Sequence, residues 1–290
     1  SDGDFFTIAT LSGTVIGPGD VTDDLVLWVK ADHETFNTGT TPANDTETIE
    51  TWSDASGNGF DLSQATAGFR PTFNESFLNF NPTIGFDGTD NRLRTGNVLP
   101  EITDEYSGFI VTRKASTAIN RNMLAYQDAS WGQLWSYGDV NANASFSVYS
   151  QTPASWRWNK DGTKSITTEA QVLSSDWSSA GNLQYYSNGV LEGNHTEASL
   201  ITDIGSGSRI ILGARGNVGS EVNFSNFYDG EIAEVIYYKA SLGTTDQQKI
   251  RSYLGIKYGL TIGHDYLASD GSTLWDATAN AAYHNDVAGI

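Results

Sequence analysis

The feature that most constrains this chain is its rhythm: short runs of β-branched and aromatic residues, each broken within a few positions by Gly, Asn, Asp or Ser. Residues 25–30, 109–112, 145–149, 183–186, 210–212 and 232–238 are such runs, and their length and composition suit buried strands. No long helical stretches alternate with them, which excludes a doubly wound α/β fold. The sharpest local signal is Tyr186-Ser187-Asn188-Gly189-Val190. Asn-Gly supplies the two positive φ angles of a type I′ turn, so the flanking residues are expected to pair as a hairpin. The expectation is an all-β sandwich.

One helix is predicted, on the C-terminal side. Thr244-Thr245-Asp246-Gln247-Gln248 offers a hydroxyl cap with Gln three positions on. Ile250, Tyr253 and Leu254 follow at helical spacing, and Gly259 is placed to stop the helix. Residues 1–20 read as a lead-in, 21–262 as the sandwich and 263–290 as a C-terminal extension cut from a longer chain. Residues 33–45, rich in Thr, Asn and Gly without periodicity, read as a loop.

With 38% hydrophobic and 12% aromatic residues over 290 positions, a sizeable core can be buried. The formal net charge of −19 repels phosphate backbones and anionic lipid surfaces, which argues against nucleic-acid partners and membrane association. There is no cysteine, so disulfide scaffolds, thiolate metal sites and thiol catalysis are excluded. No apolar run approaches the roughly 20 residues of a membrane span.

Several segments, in order, resemble the concanavalin-A-like, laminin-G-like jelly-roll family. They are Trp52-Ser53-Asp54-Ala55-Ser56-Gly57-Asn58-Gly59-Phe60-Asp61, Phe86-Asp87-Gly88-Thr89-Asp90-Asn91, the 186–190 hairpin, Ile211-Leu212-Gly213-Ala214-Arg215 and the run from Asp229 to Tyr238. Leu27-Trp28-Val29-Lys30-Ala31-Asp32 and the segment from Lys249 to Thr261 resemble a version found in large Bacteroidetes surface proteins. The resemblance spans roughly residues 20–262 and implies a jelly-roll β-sandwich with one short helix, exported to the cell surface as part of a larger chain. It does not settle function, since such folds host many sites.

For catalysis the candidate is Asp229-Gly230-Glu231-Ile232-Ala233-Glu234. Some jelly-roll glycoside hydrolases carry carboxylates on alternate strand positions, about 5 Å apart across the sugar in retaining enzymes. Here the second Glu follows three residues after the first, so without a bulge Glu231 and Glu234 face opposite ways. The same run fits the non-catalytic laminin-G-like pattern unaltered. The four histidines show no metal-protease spacing, and no Gly-x-Ser-x-Gly elbow or phosphate loop occurs. The expectation is a non-enzyme.

Calcium takes six to eight oxygen ligands, usually on loops. Asp54, Asn58 and Asp61 form one candidate set, and Asp87, Asp90 and Asn91 another, resembling the Asp-Asn pair of pentraxins. Asp and Asn also favour turns for their own backbone hydrogen bonds. A structural Ca²⁺ is expected at one of them. Sugar binding points elsewhere, to the aromatic stretch holding Trp131, Trp135, Tyr137, Trp156 and Trp158 among Asn, Ser and Gln. Aromatic rings pack on a sugar's C–H face while polar neighbours bond its hydroxyl edge. The expectation is therefore an extracellular, non-catalytic carbohydrate-binding or adhesion module. The alternatives are a structural or protein-interaction module, or a divergent glycoside hydrolase or polysaccharide lyase.

Overall fold

The computed structural model describes residues 17–286 except 101–104, 119–120, 128–132, 139–144, 152–155, 166, 197–206 and 217–222, and gives the strands within 133–165 as backbone. In chain order the strands are β1 (Leu25–Lys30), β2 (Thr35–Thr38), β3 (Thr41–Pro42), β4 (Thr51–Trp52), β5 (Leu62–Ser63), β6 (Thr72–Leu78), β7 (Asn81–Asp87), β8 (Leu93–Thr95), β9 (Tyr106–Lys114) and β10 (Asn122–Gln127). They continue as β11 (Gln133–Gly138), β12 (Ser145–Gln151), β13 (Trp156–Ser165), β14 (Gln171–Trp177), β15 (Asn182–Ser187), β16 (Val190–Thr196), β17 (Arg209–Leu212), β18 (Asp229–Tyr238), β19 (Tyr266–Leu267) and β20 (Thr273–Trp275). The helix α1 is Thr244–Tyr258.

Two antiparallel sheets result. One runs β16-β15-β14-β9-β18-β7-β6, with β1 also paired to β18; the other runs β13-β12-β11-β10-β17-β8-β5-β4-β2-β3. The expected 186–190 hairpin forms as β15–β16, with Asn188 at φ 47° and Gly189 at φ 74°. The loop expected over 33–45 is instead a small hairpin, β2–β3, added to the edge of the second sheet. Thr35, Phe36 and Thr41 are good strand residues, and pairing to β4 outweighs the absence of a longer pattern.

Strand β18 is buried on both faces, which explains its near-continuous apolar reading. Its Ile232, Val235 and Tyr237 join Leu27, Trp52 and Tyr126 between the sheets. Ala233, Ile236 and Tyr238 join Ile250, Leu254 and Tyr258 of α1 in a second core outside the first sheet. The expected apolar stripe of the helix thus docks on the sandwich.

The helix N-terminus differs from expectation. Gly243 is the N-cap, with no hydroxyl cap bond; Gln247 donates from its side chain to the carbonyl of Leu242 at 2.8 Å. Gly259 ends the helix as expected, at φ 64°. Beyond it, Ile262 and Tyr266 pack into the helix-side core, Leu267 donates its N–H to Ser252 Oγ, and β19 pairs with β20. Replacing Leu254 with Ala should cost about 2–5 kcal/mol by equilibrium urea unfolding, since it empties a fully buried site in this second core.

Candidate functional site

The geometry of the carboxylate run from Asp229 to Glu234 is governed by a bulge. The β18–β9 register slips between Ile232 and Glu234, so Ala233 is the extra residue. Ala233 and Glu234 therefore lie on the helix side, while Ile232 and Val235 face the inter-sheet core. Strand alternation turns Glu231 outward too. The bulge brings both carboxylates to one face, yet each is engaged. Glu231 Oε2 accepts from Thr83 Oγ1 at 2.6 Å and Asn74 Nδ2 at 3.0 Å.

Glu234 has no exposed surface. Its Oε1 accepts from Trp28 Nε1 at 2.6 Å, and its Oε2 from Tyr258 Oη at 2.9 Å, Tyr253 Oη at 3.3 Å and Lys257 Nζ at 2.9 Å. Lys257 Nζ also reaches Asp32 Oδ1 at 3.0 Å. Helix spacing puts Tyr253, Lys257 and Tyr258 on one face, which caps the carboxylate. No substrate atom can reach Glu234 while α1 is docked.

Burial, followed by the charge of Glu234, pushes the hydroxyls of Tyr253 and Tyr258 well above the usual 10.0. For Lys257, burial alone would lower the pKa, but the Glu234 and Asp32 carboxylates outweigh it and hold it above the usual 10.5. The signs agree: as pH rises past about 10, the unfolded chain sheds protons that the folded one keeps, so stability falls. Below that range these groups' contribution is fully present. Alkaline titration of the urea midpoint should show this decline, and Tyr258→Phe should make it shallower.

The two acidic turns serve the backbone first. Asp54 Oδ1 accepts from the N–H groups of Trp28 and Ser56, and Oδ2 from Ser56 Oγ and the Phe60 N–H. Asp61 Oδ1 accepts from the Asp54 N–H, and Asn58 donates to the carbonyls of Leu25 and Val26. A cation there would have to displace the bonds that fasten the turn to β1. In the second turn Asp87 Oδ1 accepts from the N–H groups of Thr89, Asp90 and Asn91, and Asn91 Oδ1 from the N–H of Asp87. Calcium at this turn would draw on Asp87 Oδ2, Asp90 and backbone carbonyls. Among the described residues no group of three or more His, Asp or Glu is arranged to hold a metal.

Of the expected sugar-binding aromatics, Trp131 lies outside the described residues. Trp135 and Tyr137 are on β11, opposite Tyr126 and Leu124 of β10. Trp156 and Trp158 are on β13, at the end of the second sheet. The side chains of these four also lie outside the described residues.

A further cleft escaped the sequence reading. It has a volume of about 560 Å³ and lies where β2 and β3, at the edge of one sheet, approach β6 at the edge of the other. Phe36, Pro42, Phe80 and Pro82 form its apolar wall, and Asp32, Glu34 and Glu75 its charged rim. Phe80 is 91% exposed and sits in the β6–β7 turn at φ 61°, after Asn79 at φ 48°. That turn is clamped to the end of α1: Asn79 Nδ2 and Asn81 Nδ2 both donate to the Lys257 carbonyl, at 3.2 and 2.8 Å. The signal was the spacing Asn79-Phe80-Asn81-Pro82, where Asn opens a tight turn and a ring stands in the usual glycine position. A second cleft, of about 400 Å³, opens beside β15, β16 and the start of α1, lined by polar residues such as Asn182, Gln184 and Asn194.

Solved structures of other proteins share this architecture. Domain 4 of the extracellular GH43 arabinanase AbnA from Geobacillus stearothermophilus, solved with arabinotriose, matches 79% of this chain and 98% of its own, at 15% identity and TM-score 0.53. A botulinum neurotoxin type C structure, whose cell entry is described as dependent on two ganglioside molecules, matches 85% of this chain at 14% identity and TM-score 0.57. The binding domain of botulinum neurotoxin serotype D matches 90% at 11% identity and TM-score 0.54. This chain spans only 55% and 56% of those two toxin chains. The fold is a jelly-roll β-sandwich. Residues 246–290, most of α1 and the segment after it, match a family model described as a domain of unknown function, DUF8202. No curated protein matches the sequence. Among the described residues no helix is long and apolar enough to cross a membrane.

Removing the Lys257 ammonium leaves Glu234 charged and without its cation in a dry seam. Lys257→Met should therefore destabilise by about 3–5 kcal/mol in chemical denaturation, and adding Glu234→Gln should recover much of that loss.

Proposed function

We propose that this jelly roll is an extracellular, non-catalytic carbohydrate-binding module of a larger surface protein. The observation that carries the reading is the sealing of Glu234 under α1, with Glu231 held by Thr83 and Asn74. The sandwich keeps the scaffold of sugar-handling domains while the carboxylates that hydrolysis would need are fixed as structural acceptors. The arabinanase domain solved with arabinotriose and the toxin whose cell entry depends on gangliosides share this fold and support a glycan as the ligand class. Trp131, Trp135, Tyr137, Trp156 and Trp158 are proposed as sugar-facing residues, the mixture of rings and amides along 126–158 being what a sugar's two kinds of surface require.

Affinity electrophoresis against a panel of soluble polysaccharides tests the reading. The protein should be retarded by at least one of them and should release no reducing ends from it. Trp156→Ala with Trp158→Ala should weaken retardation about tenfold. A protein that migrates unretarded through every polymer is not such a module, and one that generates reducing ends is an enzyme.

A further inference from the structure

We infer that the cleft under the Phe80 turn is a glycan subsite for sugars that carry no acidic group. This rests on the carbohydrate-binding reading and assigns it a place and a ligand class. Phe80 is a large apolar side chain held almost wholly in solvent, at 91% exposure. A Phe at φ 61° occupies a strained conformation that side-chain-bearing residues rarely adopt. The bonds from Asn79 and Asn81 to the Lys257 carbonyl hold that turn in place, so the ring is presented on a clamped support. Beside it, Phe36, Pro42 and Pro82 continue the apolar wall. The C–H face of a pyranose or furanose ring fits such a wall.

The rim selects the class. Asp32, Glu34 and Glu75 line the cleft, and no described residue lining it is basic. Asp32 is already paired with Lys257. Glu34 and Glu75 make no side-chain hydrogen bond or ion pair among the described residues, which leaves their oxygens free to accept from sugar hydroxyls or an amino group. A uronate or sulfate ester would meet two uncompensated carboxylates in a protein of net charge −19. Charge complementarity therefore favours neutral and amino-bearing glycans over acidic ones, and the exposed ring adds cation–π attraction for a protonated amino group.

The test is isothermal titration of the whole chain with neutral, amino-bearing and uronate oligosaccharides and with oligolysine. It compares wild type with Phe80→Asn, Phe80→Tyr and the pair Glu34→Gln, Glu75→Gln. Asn keeps a residue suited to the left-handed turn, so Phe80→Asn should unfold no earlier than wild type while losing about tenfold in affinity. Tyr should restore binding, and the Gln pair should weaken amino-bearing ligands more than neutral ones. Wild-type binding to a neutral or amino sugar that Phe80→Asn leaves unchanged overturns the subsite but not the module. Preference for uronates overturns the ligand class. Oligolysine as the only ligand bound makes the cleft a basic-peptide site, and no binding by wild type to any sugar overturns both the subsite and the module.

Discussion

A carboxylate with no exposed surface has to have its charge met where it lies, and in this protein that requirement ties three layers together. Glu234 is carried to the outer face of the first sheet by a single extra residue in β18. Its compensating cation, Lys257, comes from α1. The helix is thus positioned by electrostatics as well as by the apolar contacts of Ile250, Leu254 and Tyr258. Each reinforces the other, because the apolar cover excludes the water that would otherwise screen the pair. The backbone of the same lysine then accepts from Asn79 and Asn81, and its ammonium holds Asp32 at the margin of the Phe80 cleft. One residue links the seam to the surface where a ligand would sit.

The same bulge separates two uses of one strand. An Asp229-to-Glu234 run on a jelly roll is close to what a sugar-cleaving site would contain. With Ala233 inserted, the two glutamates do reach a common face, which is the arrangement hydrolysis would need. Trp28, Tyr253, Lys257 and Tyr258 surround Glu234, and Glu231 accepts from Thr83 and Asn74.

Much of this architecture was legible beforehand. Asn188-Gly189 announced its hairpin because few other dipeptides satisfy two positive φ angles, and Gly259 announced the helix end for the same reason. The ordered motifs gave the jelly roll. The β2–β3 hairpin was missed because strands this short leave no periodicity to detect. The Gly243 cap was missed because a glycine there competes with two hydroxyls that read better in isolation. A bulge was the condition under which the two glutamates would share a face, but nothing local marks Ala233 as its place; β18 packs against two cores at once there. At the site, Asp54 and Asp87 accept backbone N–H bonds that a sequence cannot distinguish from metal ligation, because turns and cation sites draw on the same residue types. Phe80 stayed hidden because a ring in a glycine position runs against propensity, and only its exposure reveals it.

As proposed, this sandwich holds sugar at a surface and keeps its carboxylate run out of reach. Backbone ¹⁵N chemical-shift mapping during titration with a neutral oligosaccharide tests that claim most directly. Sugar held at the proposed surfaces shifts residues 131–137 and 156–158, and residues 34–36 and 75–82 at the Phe80 cleft, with the amides of Glu231 and Glu234 unmoved and the oligosaccharide intact at the end. Shifts centred on residues 231–234, with shortened oligosaccharide accumulating in the tube, would contradict it.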